Sequence, residues 1–295
     1  MRRRAGEILR KDNRSLPIIP VSCFMDKTTL GDRMKMYEGV EADRRFISLL
    51  PIVARMDGRH FHTFTKGLER PFDAKFTQAM VNTTKLLVEE TGALIGYTQS
   101  DEITLVWNSD SIASQIWFDG RIAKMTSQLG SLTTLHFYRE ILKLLPEKAR
   151  QLPSFDARVW QVPNKDEAVN AVLWRELDAT KNSTSMAAAT YYLPKELHGK
   201  TRSQRQELLF QKGINWNDYP ASFKRGTYVQ RKKSARSFTV DEIALLPAKH
   251  AARMNPHLVI ERSDVRVVEM PPLAKVINSC DVFFKGGDPM VDSRE

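Results

Sequence analysis

An α/β or α+β sheet domain is the fold class this chain predicts, and three observations carry it. Short apolar or β-branched runs recur at 49–56, 95–107 and 155–162, longer stretches with helical spacing lie between them, and turn residues stand at the junctions. The 295 residues exceed one minimal domain and suit a single elaborated domain with extensions. With 42% hydrophobic and 27% charged residues a sizeable core is available. No segment reaches the roughly 18 consecutive apolar residues of a membrane span, so no membrane insertion is expected.

The opening MRRRAGEILRKDNR is basic and lacks the apolar stretch of a secretory signal, so residues 1–29 read as a solvated arm. The first strand, 49–56, stops at Asp57-Gly58. A helix over 73–90 follows, with Asp73 placed as its cap, Phe76, Met80 and Leu87 near helical spacing, and Gly92 just past its end. Residues 95–107 read as a β-hairpin with Gln99, Ser100, Asp101 and Glu102 at its bend. The recurrence of Ile122, Met125, Leu129, Leu132, Leu135 and Tyr138 predicts a second helix over 119–145, ended by Pro146. A strand over 155–162 returns, and 166–192 is helical by its Ala, Leu and Glu content, weakened at Asn182 to Ser185. Beyond Pro194 the pattern gives way to a basic, mixed region with a short amphipathic piece at 240–252 and a strand-like 265–268.

The net charge of +10 and pI near 9.6 favour polyanionic partners. The cations cluster in the N-terminal arm and at 223–236, where Phe223 and Tyr228 interleave with them. That mixture suits phosphates and bases, and equally a solvated basic face. Cys23 and Cys280 cannot build a disulfide framework or a four-ligand zinc site, which makes a reducing cytoplasm the simpler expectation.

A strand ending in Asp57 and a hairpin bend carrying Asp101 and Glu102 would bring three carboxylates to one sheet edge. That is a Mg²⁺ site in outline, since Mg²⁺ takes carboxylate and carbonyl oxygens and completes its shell with water and substrate phosphates. Gly58 would let backbone approach an ion or phosphate. The same residue types also serve as caps and turn formers. Arg59, Lys66 and Arg70 follow the first acid, and Arg121 and Lys124 lie three apart at the start of the second long helix, where phosphates could sit. His60 and His62 flank Phe61 and would point to opposite sides, so that at most one faces the acids. No zinc-ligand spacing, Walker loop or Gly-x-Ser-x-Gly elbow is present.

The segment Arg55-Met56-Asp57-Gly58-Arg59-His60-Phe61-His62, then Arg70-Pro71, Tyr97-Thr98-Gln99-Ser100-Asp101-Glu102, Arg121-Ile122-Ala123-Lys124 and Phe155-Asp156-Ala157-Arg158-Val159, resembles the tRNA-histidine guanylyltransferase family and its relatives, the 3′-to-5′ RNA polymerases that repair tRNA 5′ ends. The likeness covers roughly residues 30–215. It implies an α+β fold: a polymerase- or nucleotide-cyclase-like palm with an antiparallel-rich sheet over 30–165 and a helical tRNA-contacting part over 166–224; beyond it a basic helical C-terminal extension of unknown role is expected over 225–295. It further implies two Mg²⁺ ions on Asp57, the Gly58 carbonyl and Asp101, with Glu102 supporting the acidic site. Gly58, Arg59, His62, Arg70, Ser100, Arg121 and Lys124 would contact GTP, ATP or another nucleoside triphosphate. The tRNA contacts expected are Asn182, Arg205, Lys224, Arg225, Arg231, Lys232 and Lys233, and the assembly expected is a homotetramer.

The implied reaction joins the 3′-OH of an incoming nucleotide to an activated tRNA 5′ phosphate, releasing pyrophosphate or AMP. The sequence departs from the family at Thr180-Lys181-Asn182-Ser183-Thr184-Ser185-Met186, where guanylyltransferases carry His-Ile-Asn-Asn-Leu-Tyr-Asn. The departure leaves the activation step and the histidine-tRNA specificity tied to that signature open, and similar losses occur in the repair-type members. A palm-fold nucleotide cyclase, a DNA-directed palm polymerase and a non-catalytic tRNA-binding protein are the alternatives.

Overall fold

The computed structural model describes residues 29–113 and 116–292. The chain divides into two compact units, 1–43 and 44–295. The described part of the first is helix α1 (Thr29–Ala42). Most of the N-terminal arm expected over 1–29 lies outside the described residues, and the boundaries expected at 165 and 224 fall inside the second unit.

The second unit is built on a six-stranded antiparallel sheet. Its strands are β1 (Ile52–Gly58), β2 (Ile95–Gln99), β3 (Glu102–Trp107), β4 (Phe155–Gln161), β5 (Thr227–Ser237) and β6 (Val259–Val268), in the order β4-β1-β3-β2-β5-β6. Its helices are α2 (Phe61–Phe64), α3 (Ala74–Thr91), α4 (Ile122–Leu144), α5 (Lys165–Tyr191), α6 (Pro194–Leu197), α7 (Arg202–Gln211), α8 (Ala221–Lys224), α9 (Val240–Leu245), α10 (Ala251–Met254) and α11 (Ser279–Lys285). None of the described helices is long and apolar enough to cross a membrane.

Strand alternation sorts the sheet residues onto two faces. Ala54, Met56, Ile103 and Leu105 pack with Met80 and Leu87 of α3 and Met125, Phe137 and Ile141 of α4. On the other face Val53, Ile95, Tyr97, Val106 and Tyr228 pack with Val169 and Val172 of α5 and Phe283 of α11. The elements expected up to residue 192 appear within three residues of their predicted bounds, whereas the strand expected over 265–268 begins at Val259 and the piece expected over 240–252 divides into α9 and α10. Asp73 caps α3 by accepting from the Phe76 amide at 2.9 Å, Gly92 ends it at φ 70°, and α5 runs unbroken through Asn182 to Ser185. Strand β1 continues through Asp57 and Gly58 instead of stopping before them. Gly58 faces the α3/α4 side, where a Cβ would sit 2.4 Å from the Phe61 ring, so packing alone requires glycine there.

The C-terminal region corrects an expectation. Residues 225–295 are not a helical extension: they supply β5 and β6, and β5 pairs Thr227 to Gln230 with Thr98 to Ile95 of β2. The C-terminal segment is also tied to α5 through the buried Glu176, whose carboxylate accepts from the Tyr228 hydroxyl at 2.7 Å and the Leu273 amide at 2.9 Å. Burial pushes the Glu176 carboxyl up, and these two bonds pull against it.

Arg231, expected as a tRNA contact, closes the end of α3. Its guanidinium donates to the carbonyls of Val88 at 2.5 Å, Glu89 at 2.8 Å and Ala93 at 3.2 Å. The Trp107 indole donates to the Thr91 carbonyl at 3.1 Å. These are the acceptors a helix leaves open at its C-terminus, and a cation there also meets the negative end of the helix dipole. Arg231→Ala is expected to cost about 2 kcal/mol of stability in urea denaturation, with tRNA affinity nearly unchanged. A large loss of affinity at constant stability would return Arg231 to the RNA surface.

Candidate functional site

Asp57 is directly opposite Glu102 on β3 and Asp156 on β4, so three carboxylates form a row on the α5 face of the sheet. One step back along the same face, Arg55 on β1 lies opposite Arg158 on β4. The arginine row approaches the acid row: Arg55 and Arg158 stand 3.9 and 4.0 Å from an Asp57 oxygen, and Arg158 is 3.6 Å from Asp156. Asp156, Arg55 and Arg158 were not among the predicted site residues. The period of two that puts Arg55 beside Asp57 was the available signal.

Asp101 sits in the β2–β3 turn after Ser100, which has a positive φ of 54°. The turn is held against β1, because the Gly58 amide donates to the Asp101 carbonyl at 3.0 Å. Burial pushes the Asp101 carboxyl above the usual carboxylate range. Backbone and Ser100 hydroxyl hydrogen bonds lower it, and the charge on Asp57 raises it again. No ion pair to Asp101 forms among the described residues. A desolvated carboxylate beside a second carboxylate is a place where a bound cation removes repulsion. No group of three or more metal-ligating side chains occurs among the described residues. Two acids and a carbonyl suit Mg²⁺, which usually binds through one or two carboxylates plus substrate phosphates, better than an all-protein cage metal.

The raised Asp101 pKa fixes a sign. A carboxyl whose folded pKa exceeds its unfolded value penalises the fold while ionised, and the penalty fades as pH falls from the folded pKa through the unfolded one. Asp101→Asn is therefore expected to raise the Tm of chelator-treated protein at pH 7, with the gain shrinking toward acid. A Tm difference independent of pH would disprove the assignment.

Glu102 does not join Asp57 and Asp101 as a third site acid. Both its oxygens are taken by Arg175 of α5, at 2.6 and 2.8 Å, and Arg175 reaches on to Asp178 at 3.1 Å. Burial pushes the Glu102 carboxyl up and the Arg175 bonds pull it back. These are the two parallel N–H···O bonds of a charged pair. They tie the β2–β3 hairpin to α5.

A cavity of about 320 Å³ opens next to Ser100. His62, Arg70 and Ser100 line it together with Thr98 and Thr227 from the α3 side of the sheet and the rings of Phe72, Phe76 and Phe223. His60 and His62 do not alternate as in a strand. His60 is the left-handed residue before α2, His62 lies within that helical turn, and only His62 lines the cavity. Arg59 is exposed beyond β1. Arg121 precedes α4 as its cap residue, and Lys124 lies exposed in the first turn. The strands of backbone 44–46 and 120–122 hold that helix start, through Phe46 amide to Gly120 carbonyl at 3.0 Å and Ile122 amide to Arg44 carbonyl at 2.9 Å. The Arg121 Nε is buried without a hydrogen-bond partner among the described residues.

Several expected tRNA contacts are engaged within the protein. Arg205 donates to the Ser185 hydroxyl at 2.6 Å and to the Leu197 carbonyl at 3.4 Å, joining α7 to α5. Lys224 donates to the Asn217 carbonyl, and the Arg225 carbonyl accepts from Tyr97 at 2.8 Å. Lys232 and Lys233 pair with Asp288 at 3.3 Å and Glu261 at 3.0 Å, and Asn182 donates to Asp178 at 3.2 Å. Exposed pairs of this kind are worth little and leave a lysine open to phosphate.

A family model described as tRNAHis guanylyltransferase matches residues 31–163. The tRNA(His) guanylyltransferase of Schizosaccharomyces pombe is 30% identical over 213 residues, 65% of this chain and 78% of that protein. A solved bacterial tRNA(His) guanylyltransferase (Thg1)-like protein in complex with ATP superposes with a TM-score of 0.64 at 36% identity, covering 69% of this chain and 87% of its own. A bacterial Thg1-like protein in complex with GTP gives 0.63 at 30% identity, covering 84% and 95%. Sequence, fold and the paired aspartates beside a nucleoside-sized cavity converge: the chain belongs to the tRNA(His) guanylyltransferase family.

Proposed function

We propose that this protein adds nucleotides to the 5′ end of tRNA in the 3′-to-5′ direction. The observation that carries the reading is the meeting of Asp57 and Asp101 at the ends of adjacent strands, beside a cavity lined by His62, Arg70 and Ser100. The antiparallel sheet with acids on neighbouring strand ends has the outline of a palm. The relatives solved with ATP and GTP support a nucleoside triphosphate in the cavity.

In this reading the base lies against Phe72, Phe76 and Phe223, and the polar end of the nucleotide faces His62, Ser100 and Arg70. Asp57, Asp101 and the Gly58 carbonyl would hold Mg²⁺, which when bound activates a hydroxyl and offsets phosphate charge. Arg70, with Arg121 and Lys124 at the start of α4, supplies fixed cations for the triphosphate. Asp57 and Asp101 orient the 3′-OH, and the pairing of Glu102 with Arg175 keeps their turn from shifting. Two of the side chains that replace the guanylyltransferase signature are engaged between helices: Ser183 donates to the Thr180 and Lys224 carbonyls, and Ser185 accepts from Arg205. That favours a repair-type member over one committed to histidine tRNA. A cytoplasmic tetramer is part of the same proposal.

The test incubates purified protein with full-length and 5′-truncated tRNAs, each nucleoside triphosphate, and Mg²⁺ or chelator, and maps the added residues. Mg²⁺-dependent 5′ addition is expected. Label gained only at 3′ ends, cyclised nucleotide, or tRNA binding without incorporation would each overturn it in favour of another class.

A further inference from the structure

On the α5 face, Trp174 lies with 55% of its surface exposed beside the carboxylate row. Two guanidiniums connect it to that row. Arg175 stands 4.4 Å from the Trp174 ring centroid and binds Glu102, while Arg55 stands 6.0 Å from the ring and 3.9 Å from both Asp57 and Glu102. More than half of the ring's residue stays open to solvent, and an aromatic face can take a stacked base. Beside the same acid row Arg55 and Arg158 stand 3.9 and 4.0 Å from Asp57, and Arg158, 56% exposed at its side chain, offers a guanidinium to phosphates.

The nucleotide cavity is a separate place: Trp174 does not line it, and α5 meets it only at Met186, Ala189 and Thr190, 12 or more residues further along the helix. Thr98 and Thr227 line it from the face opposite Tyr97 and Tyr228, whereas Arg55, Asp57 and Glu102 share the α5 face. A 5′-end transferase must bring two substrates to one pair of acids, and the fold offers a separate approach for each.

We infer that Trp174 is the stacking platform for the terminal base of the RNA 5′ end, with Arg55 and Arg158 facing its terminal phosphates. Arg175 stiffens the platform, lying over the ring at 4.4 Å from its centroid while it binds Glu102. This rests on the function proposed above and adds the position of the second substrate. Stacking on an aromatic ring tolerates any base, which suits a terminus whose sequence varies.

The experiment uses full-length protein and a tRNA carrying 2-aminopurine at its 5′-terminal nucleotide, in chelator and without nucleotide, so that binding is read apart from catalysis. Wild type is expected to quench the probe, and a probe five base pairs inward is expected to stay bright. Trp174→Ala should lose the terminal quench and weaken binding about tenfold, while Trp174→Phe keeps most of both. Circular dichroism and thermal melting confirm that the variants fold. The inference is overturned by equal quenching with Trp174→Ala, by no terminal quenching with wild type, or by equal changes at both probe positions. It is also overturned if Trp174→Ala alters only self-association in sedimentation. Nucleotide addition by wild type on unlabelled tRNA is scored in parallel: stacking without addition sinks the proposed function alone, and addition without stacking sinks the platform alone.

Discussion

Asp57→Asn and Asp101→Asn are each expected to lower nucleotide addition roughly 1,000-fold or more, about 4 kcal/mol of transition-state stabilisation. Both variants should keep the fold, since neither side chain is part of the packed core. They should also keep most tRNA affinity, because phosphate contacts spread over a basic surface do not depend on one acid. The two substitutions should not multiply in the double variant, because groups that act as a unit are strongly non-additive. Single-turnover assays with saturating nucleotide and Mg²⁺ measure this. Retention of a tenth of wild-type turnover by either variant would remove that acid from the site.

Arg175→Ala is expected to cost about 3 kcal/mol of stability at neutral pH, near the lower end for breaking a buried ion pair. Only 14% of either side chain is exposed, so the deletion leaves Glu102 desolvated with Arg55 as a distant partner at 3.9 Å. The loss has a pH signature. Burial already raises the Glu102 pKa, and removal of Arg175 raises it further, so the penalty is full above that pKa and fades as pH falls through it and the carboxyl takes up a proton. Adding Glu102→Gln to Arg175→Ala should recover much of the stability in denaturant unfolding. A double-mutant cycle with no coupling would mean that the pair carries no weight. Activity should fall in Arg175→Ala as the hairpin turn loosens, with kcat affected more than the nucleotide KM.

The elements around the acids could be read in advance because their signals are local. Asp73 and Gly92 bracket α3, and the alternating hairpin strands bend at Ser100-Asp101. Glu102 was read only as a supporting acid of the site because its partner is 73 residues away, and nothing near the bend announces that an arginine closes on it. Strand β5 went unrecognised since only Tyr228, Val229 and Gln230 of its eleven residues are buried, and the charged remainder looks like a phosphate surface. Arg231 misled for a related reason: its acceptors are backbone carbonyls, which have no sequence signature. The aromatic walls of the cavity were equally invisible, because Phe72 and Phe76 meet Phe223 only when the chain has folded.

The pairing of β5 with β2 has a consequence for synthesis. The hairpin that bears Asp101 exposes one edge until residues 227–230 arrive to cover it, long after the matched region 31–163 has left the ribosome. An open edge of that kind invites pairing with other chains, and contacts this distant in sequence slow folding. A chain cut at residue 224 should therefore emerge as aggregated material and not as a smaller working enzyme, even though it contains both aspartates. Protection of the nascent chain over that interval, and no partial activity from messages broken before β5, are the outcomes expected.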